Sequence, residues 1–148
     1  MRVTVDHHDA ELMLRLYDLR REEKLRRARE WFIREFEAKS SDDYLKKYPP
    51  DSEENAFTRM VVTYWEMVGS ILNSGLIEQD FFFQNTGEFF VVWEKIKPLV
   101  PAIRESFKNP LLWKNLEKMA ESYEEWMNKR APEAIAASRE RVAALRKK

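Results

Sequence analysis

Few side chains in this sequence are placed to do chemistry, and the clearest is a carboxylate on a helical line. Glu66 sits mid-way along Arg59, Thr63, Glu66, Ser70 and Asn73, whose spacing of four, three, four and three residues is that of one helix face. Facing a cleft, with Tyr64 and Trp65 beside it, Glu66 could be a general base with a raised pKa. Facing water, or paired with Arg59, Arg104 or a lysine, it would be structural, and that is the stronger reading. Arg59 is two turns away, so a pair between them needs a bridging group. Glu66 is the one catalytic candidate; Arg59, Glu66 and Arg104 are the candidates for a ligand site.

Other chemistries find less support. His7 and His8 are the only histidines. Neighbours on a helix diverge by about 100°, so the two do not easily meet one ion. With no histidine further on, neither a Ser-His-Asp arrangement nor the Glu-x-x-His pairs of di-iron bundles can form. The chain has no cysteine, hence no thiolate ligand, thiol nucleophile or disulfide. Gly69, Gly75 and Gly87 are isolated and make no phosphate loop. No metal or cofactor is expected, and an enzyme is the less favoured class. The cluster Arg20, Arg21, Lys24, Arg26, Arg27 and Arg29 could touch phosphates or an anionic membrane surface. Glu22, Glu23 and Glu30 offer opposite charges within helical reach, so a salt-bridged solvated face is preferred.

The elements carrying these residues are helices. From Phe57 to Asn73 everything off the polar line is largely apolar, which predicts a mostly buried central helix. Ahead of it, Asp6 and Asp9 open a helix that nothing interrupts until about Lys39. Roughly 30 residues at about 1.5 Å each span about 45 Å, longer than a body with a radius of gyration of about 15 Å. The apolar residues of this helix form two blocks, Leu12, Leu16 and Leu19, then Leu25, Ala28, Phe32 and Phe36, which point to nearly opposite sides.

A short helix is read at residues 40–48, ended by Pro49 and Pro50. Asp51 with Glu54 caps the central helix and Gly75 ends it. Asn85 with Glu88 caps a helix through Ile96, broken by Pro98 and Pro101. Asn109–Pro110 starts another with Leu112, Leu116, Met119, Tyr123 and Met127 on one face. The last helix, from Pro132, has a thin stripe of Ile135, Ser138, Val142 and Leu145 that suits a two-helix seam. The reading is an all-α, irregular helical bundle in one domain over residues 1–148, with residues 1–24 as a protruding arm and 132–148 as a helix that pairs with it.

Composition agrees. Apolar residues make up 44% and aromatic residues 13% of the 148, enough for a core; 35% are charged and only 3 are glycine, which favours solvated helices. The 26 basic and 26 acidic residues cancel, which removes the usual footprint of a nucleic-acid binder. The charge is uneven: between Pro49 and Glu94 eight carboxylates face the single Arg59, while both flanks are basic, so the flanks are expected to pack around the middle. No apolar run approaches the roughly 18–20 residues of a membrane span, and the polar start lacks the form of a signal peptide. A cytoplasmic protein is the expectation.

The run Arg29–Phe32, the helix entry from Pro50 to Phe57, the run Gly75-Leu76-Ile77-Glu78 after an apolar helix, and Trp93, Pro98 and Arg104 in order resemble a bacterial helical family catalogued only as a domain of unknown function, number 4760. Relatives usually show Asp where this chain has Glu78. Many carry an apolar N-terminal segment where this one is polar, a departure that leaves a membrane location unsupported. The resemblance implies no activity, so no catalytic residue comes with it. The resulting expectation is a non-catalytic interaction or oligomerisation module, with a protein partner or a homodimer in which Leu12, Leu16 and Leu19 meet Ile135, Val142 and Leu145. The alternatives are a ligand binder or hydrolase-like enzyme built on Glu66, and a basic arm at Arg20–Arg29.

Overall fold

The computed structural model describes residues 4–146. The chain is all-α, with no strand among the described residues. Its helices are α1 (His7–Arg20), α2 (Glu23–Glu35), α3 (Ser41–Lys47), α4 (Glu53–Asn73), α5 (Gln79–Asn85), α6 (Glu88–Ile96), α7 (Val100–Ser106), α8 (Lys114–Arg130) and α9 (Ala134–Arg146). A 3-10 turn, Lys97–Leu99, joins α6 to α7 where Pro98 and Pro101 remove backbone donors. Helix α4 is the axis: Phe57, Val61, Val62, Tyr64, Trp65, Val68 and Leu72 are all buried. It packs most extensively against α8 on one side and α2 on another.

The expected long first helix is instead two helices. Arg21 closes α1 and Glu22, in extended backbone, opens α2, its carboxylate accepting from the amides of Lys24 (3.1 Å) and Leu25 (3.0 Å). A side chain that satisfies the free amides of a new helix stabilises a break there. The break lets Leu16 of the first block and all of the second, Leu25, Ala28, Phe32 and Phe36, face inward, while Leu19 stays exposed. In the described part of residues 1–24, Leu16 lies in the core and Leu12 and Met13 pack against it. The buried carboxylate of Asp9 completes the cap with Asp6 and also accepts from the amide of Glu78 (2.8 Å). The phenol of Tyr64 donates to the carbonyl of Leu16 at 2.6 Å. Burial pushes the Tyr64 hydroxyl up to about 12, so it stays a donor in neutral solution.

Other boundaries move by a few residues. Helix α4 is capped by Ser52 rather than Asp51. Helix α6 starts from Gly87 with no side-chain cap, because Asn85 turns back to the carbonyl of Phe81 (2.9 Å) and Glu88 reaches α2 instead. Asn109 holds a turn through the amide of Leu111 (3.0 Å), and α8 begins only at Lys114, after Trp113 in the left-handed region at φ 58°. Gly75, at φ 77°, ends α4 as expected. Helix α6 is almost wholly interior, with Phe89, Phe90, Val92, Trp93, Lys95 and Ile96 buried. Helix α9 packs on α6 and α8.

Two aromatic groups lie within the bundle. Trp31, Phe32, Phe36, Tyr44, Tyr48 and Phe57 join α2, α3 and the start of α4. Phe82, Phe83, Phe89, Tyr123 and Trp126 join α5, α6 and α8.

Candidate functional site

Glu66 is brought to the start of α8. Its carboxylate accepts from the amide of Leu116 (2.9 Å), the side-chain amide of Asn115 (2.9 Å) and, longer, the amide of Asn115 (3.4 Å). The capping residue of α8, Trp113, supplies no oxygen of its own, so Glu66 does for α8 what a serine or aspartate usually does from within the chain. A negative charge there also meets the positive end of the helix dipole. One turn on, a Cβ at Gly69 would lie 2.8 Å from the carbonyl oxygen of Asn115, so only glycine admits this approach. Asn73 donates to the same carbonyl and to the Asn115 side chain, both at 3.1 Å. The lower polar line of α4 is therefore a seat for α8.

Of the other two ligand candidates, Arg104 holds the same stretch at the start of α8 and Arg59 does not. Arg59 is exposed and its Nε donates to Asn55 one turn back (3.0 Å), while Asn55 holds the carbonyl of Tyr48 (2.9 Å). Arg104 ties α7 to α8 through the carbonyl of Leu112 (2.8 Å) and Glu117 (3.3 Å). Burial pushes Glu117 up, but Lys114 and Arg104 outweigh it and its carboxyl lies below the usual range. Each of these three residues has a structural partner.

The basic stretch is also anchored. Arg29 donates to Glu88 through Nε (3.0 Å) and Nη2 (2.7 Å) and to the carbonyl of Arg20 (3.1 Å). Arg20 lies 3.9 Å from the same carboxylate. Arg27 reaches Glu53 at 3.9 Å. The partners of Arg29 and Arg27 come from the acidic middle rather than from Glu22, Glu23 or Glu30. Arg34 does pair with Glu30, at 3.2 Å.

The six expected interface residues are divided. Leu16, Ile135 and Val142 are buried in the chain's own interior, Leu12 and Leu145 are half-buried, and Leu19 is 49% exposed. His7 and His8 are exposed.

A buried cation escaped the sequence reading. The Lys95 ammonium, 2% exposed, donates to the carbonyls of Phe32 (2.7 Å) and Ile33 (2.8 Å) near the end of α2. Cations favour that end of a helix. Lys95 sits among Trp93, Glu94, Ile96 and Lys97, and nothing in that pattern marks it as the interior one; its partners lie 62 and 63 residues away.

With this geometry in place the chain can be set against known proteins. A family model described as a domain of unknown function, DUF4760, matches residues 6–126. The chain belongs to the DUF4760 family. The DUF4760 match begins at the Asp6 cap and runs through most of α8; α9 lies beyond it. The Glu66 seat, the Lys95 anchor and the Arg29–Glu88 pair all fall inside it. No curated protein and no solved structure matches the chain. No helix among the described residues is long and apolar enough to cross a membrane.

Proposed function

We propose that this DUF4760 protein is a non-catalytic helical module that works through protein contacts, with a second copy of itself as the first partner to test. The observation that carries the reading is that α1 is apolar on more than one side. Leu12, Met13 and Leu16 pack inward, while Leu14, Tyr17 and Leu19 stay 67%, 47% and 49% exposed. A short helix apolar on several sides is best stabilised when something covers its outer face. Engagement of Glu66, Arg59 and Arg104 in structural contacts favours the same reading over catalysis. Burial of Leu16, Ile135 and Val142 moves the contact surface from the pairing with α9 to the outer residues of α1. A cytoplasmic setting goes with this reading.

Sedimentation velocity over a concentration series tests it. The wild-type chain is expected to dimerise at tens of micromolar, and Leu14→Glu or Leu19→Glu to return it to monomer without loss of helicity. A wild-type monomer throughout the series overturns the self-association.

A further inference from the structure

The connection between α7 and α8 keeps apolar side chains in water and holds them there. Residues 105–111 are exposed one after another. Phe107 and Leu111 are each 71% exposed, ahead of every other exposed large hydrophobic among the described residues. Leu112 and Trp113, which follow, are half-buried. This exposure is not slack. The amide of Lys108 donates to the carbonyl of Glu105 (3.1 Å) and that of Asn109 to the carbonyl of Arg104 (3.0 Å), the paired bonds that close a helix end. Lys108, at φ 53°, stands where glycine usually does in that closure. The Asn109 side chain holds the amide of Leu111 (3.0 Å), and the Nε of Arg104 holds the carbonyl of Leu112 (2.8 Å). Lys108 and Trp113 are the two residues other than glycine at positive φ among the described residues, and such backbone persists where its surroundings fix it. The connection is thus a braced turn that presents Phe107 and Leu111 to whatever lies outside.

The charge around the turn says what that is. The whole chain is neutral, but from Arg104 to Lys118 four cations, Arg104, Lys108, Lys114 and Lys118, stand against Glu105 and Glu117. Both carboxylates are engaged, Glu105 by Lys108 (2.5 Å) and Glu117 by Lys114 (2.7 Å) and Arg104 (3.3 Å). Lys108, Lys114 and Lys118 are exposed. Apolar side chains with lysines at their flanks match a surface that is anionic outside and apolar within, as a bilayer of acidic lipids is. A tryptophan beside them suits the boundary between those two layers. A single-stranded nucleic acid would call for several stacking rings along a basic groove, and Pro110 and Leu111 offer no such stack.

We propose that the α7–α8 connection is a wedge for the surface of an anionic membrane. Phe107 and Leu111 enter the interfacial layer, Trp113 lies at its edge, and Lys108 and Lys114 meet the headgroup phosphates. The contact is peripheral and shallow, and it uses elements other than α1.

The test is co-sedimentation of the full chain with vesicles of phosphatidylcholine alone or mixed with phosphatidylglycerol. Two inserted side chains hold less tightly than a myristoyl chain, so half-binding to the mixed vesicles is expected at about 1 mM lipid. Neutral vesicles, or added salt, should weaken it about tenfold. Phe107→Ser and Leu111→Ser should each weaken it about tenfold as well. Both side chains are exposed, so both variants should keep the wild-type melting temperature. Lipids brominated on the acyl chain should quench tryptophan fluorescence, and Trp113→Phe should remove that quenching. No binding up to about 10 mM lipid overturns the proposal and leaves the turn to a protein partner. Binding unchanged in both serine variants overturns it in favour of the basic stretch Arg20–Arg29, and so does binding without quenching. At protein concentrations below self-association Leu19→Glu should leave vesicle binding intact. Phe107→Ser should leave self-association intact, so the two readings fail separately.

Discussion

At the residue scale, the side chain that looked most like a catalyst is a helix cap delivered from a distance. The stripe holding Glu66 could be read from spacing alone. Its partners could not, because Asn115 and Leu116 lie 49 and 50 residues further along the chain, and no local pattern announces a cap supplied by another helix. Glu66→Ala should lower stability by about 1–2 kcal/mol, the range for losing a helix cap. A thermal melt followed by circular dichroism should show the midpoint fall by about 2–4 °C per kcal/mol for a chain of this size. Glu66→Gln, which keeps one acceptor oxygen, should lose less.

At the scale of elements, apolar periodicity located α4 and α8 and the buried face of what became α2, and the glycine and proline punctuation placed the end of α4 and the joint after α6. What could not be read were the changes of direction. Two leucine blocks on opposite sides of one helix read as two neighbours for one rod; a break at Glu22 instead turns the rod and buries Leu16 together with the second block. The near-complete burial of α6 was also hidden, since its 9 residues, Glu88–Ile96, are too few to show their surroundings. The contact between α4 and α8 is the most sensitive of these joints. Gly69→Ala should raise the intrinsic helix propensity of α4 by about 1 kcal/mol. Its Cβ would nevertheless stand 2.8 and 2.9 Å from backbone atoms of Asn115, which cannot rotate away. Overpacking of this kind costs about 1–3 kcal/mol, so the net effect expected in chemical denaturation is a loss. A variant more stable than the wild type would mean that α8 does not sit this close.

At the scale of the molecule, the uneven charge of the sequence becomes a pattern of ties. Arg29 to Glu88, Arg130 to Asp80 (3.0 Å) and Arg139 to Glu94 (3.0 Å) each join a basic flank to the acidic middle. The expectation that the flanks pack around the middle holds for these three pairs. Exposed pairs such as Arg130 with Asp80 add little stability each, but like charges would disfavour the wrong packing of these segments.

Lys95 has a different consequence for how the molecule comes apart. Its ammonium belongs to α6 and donates to two carbonyls of α2, so parting the two helices takes both acceptors from a buried cation, at a cost of several kcal/mol. Partial opening at this place is closed off, and the two helices should breathe as one cooperative unit. Native-state hydrogen exchange should give their amides a shared opening free energy, and Lys95→Met should let them exchange independently.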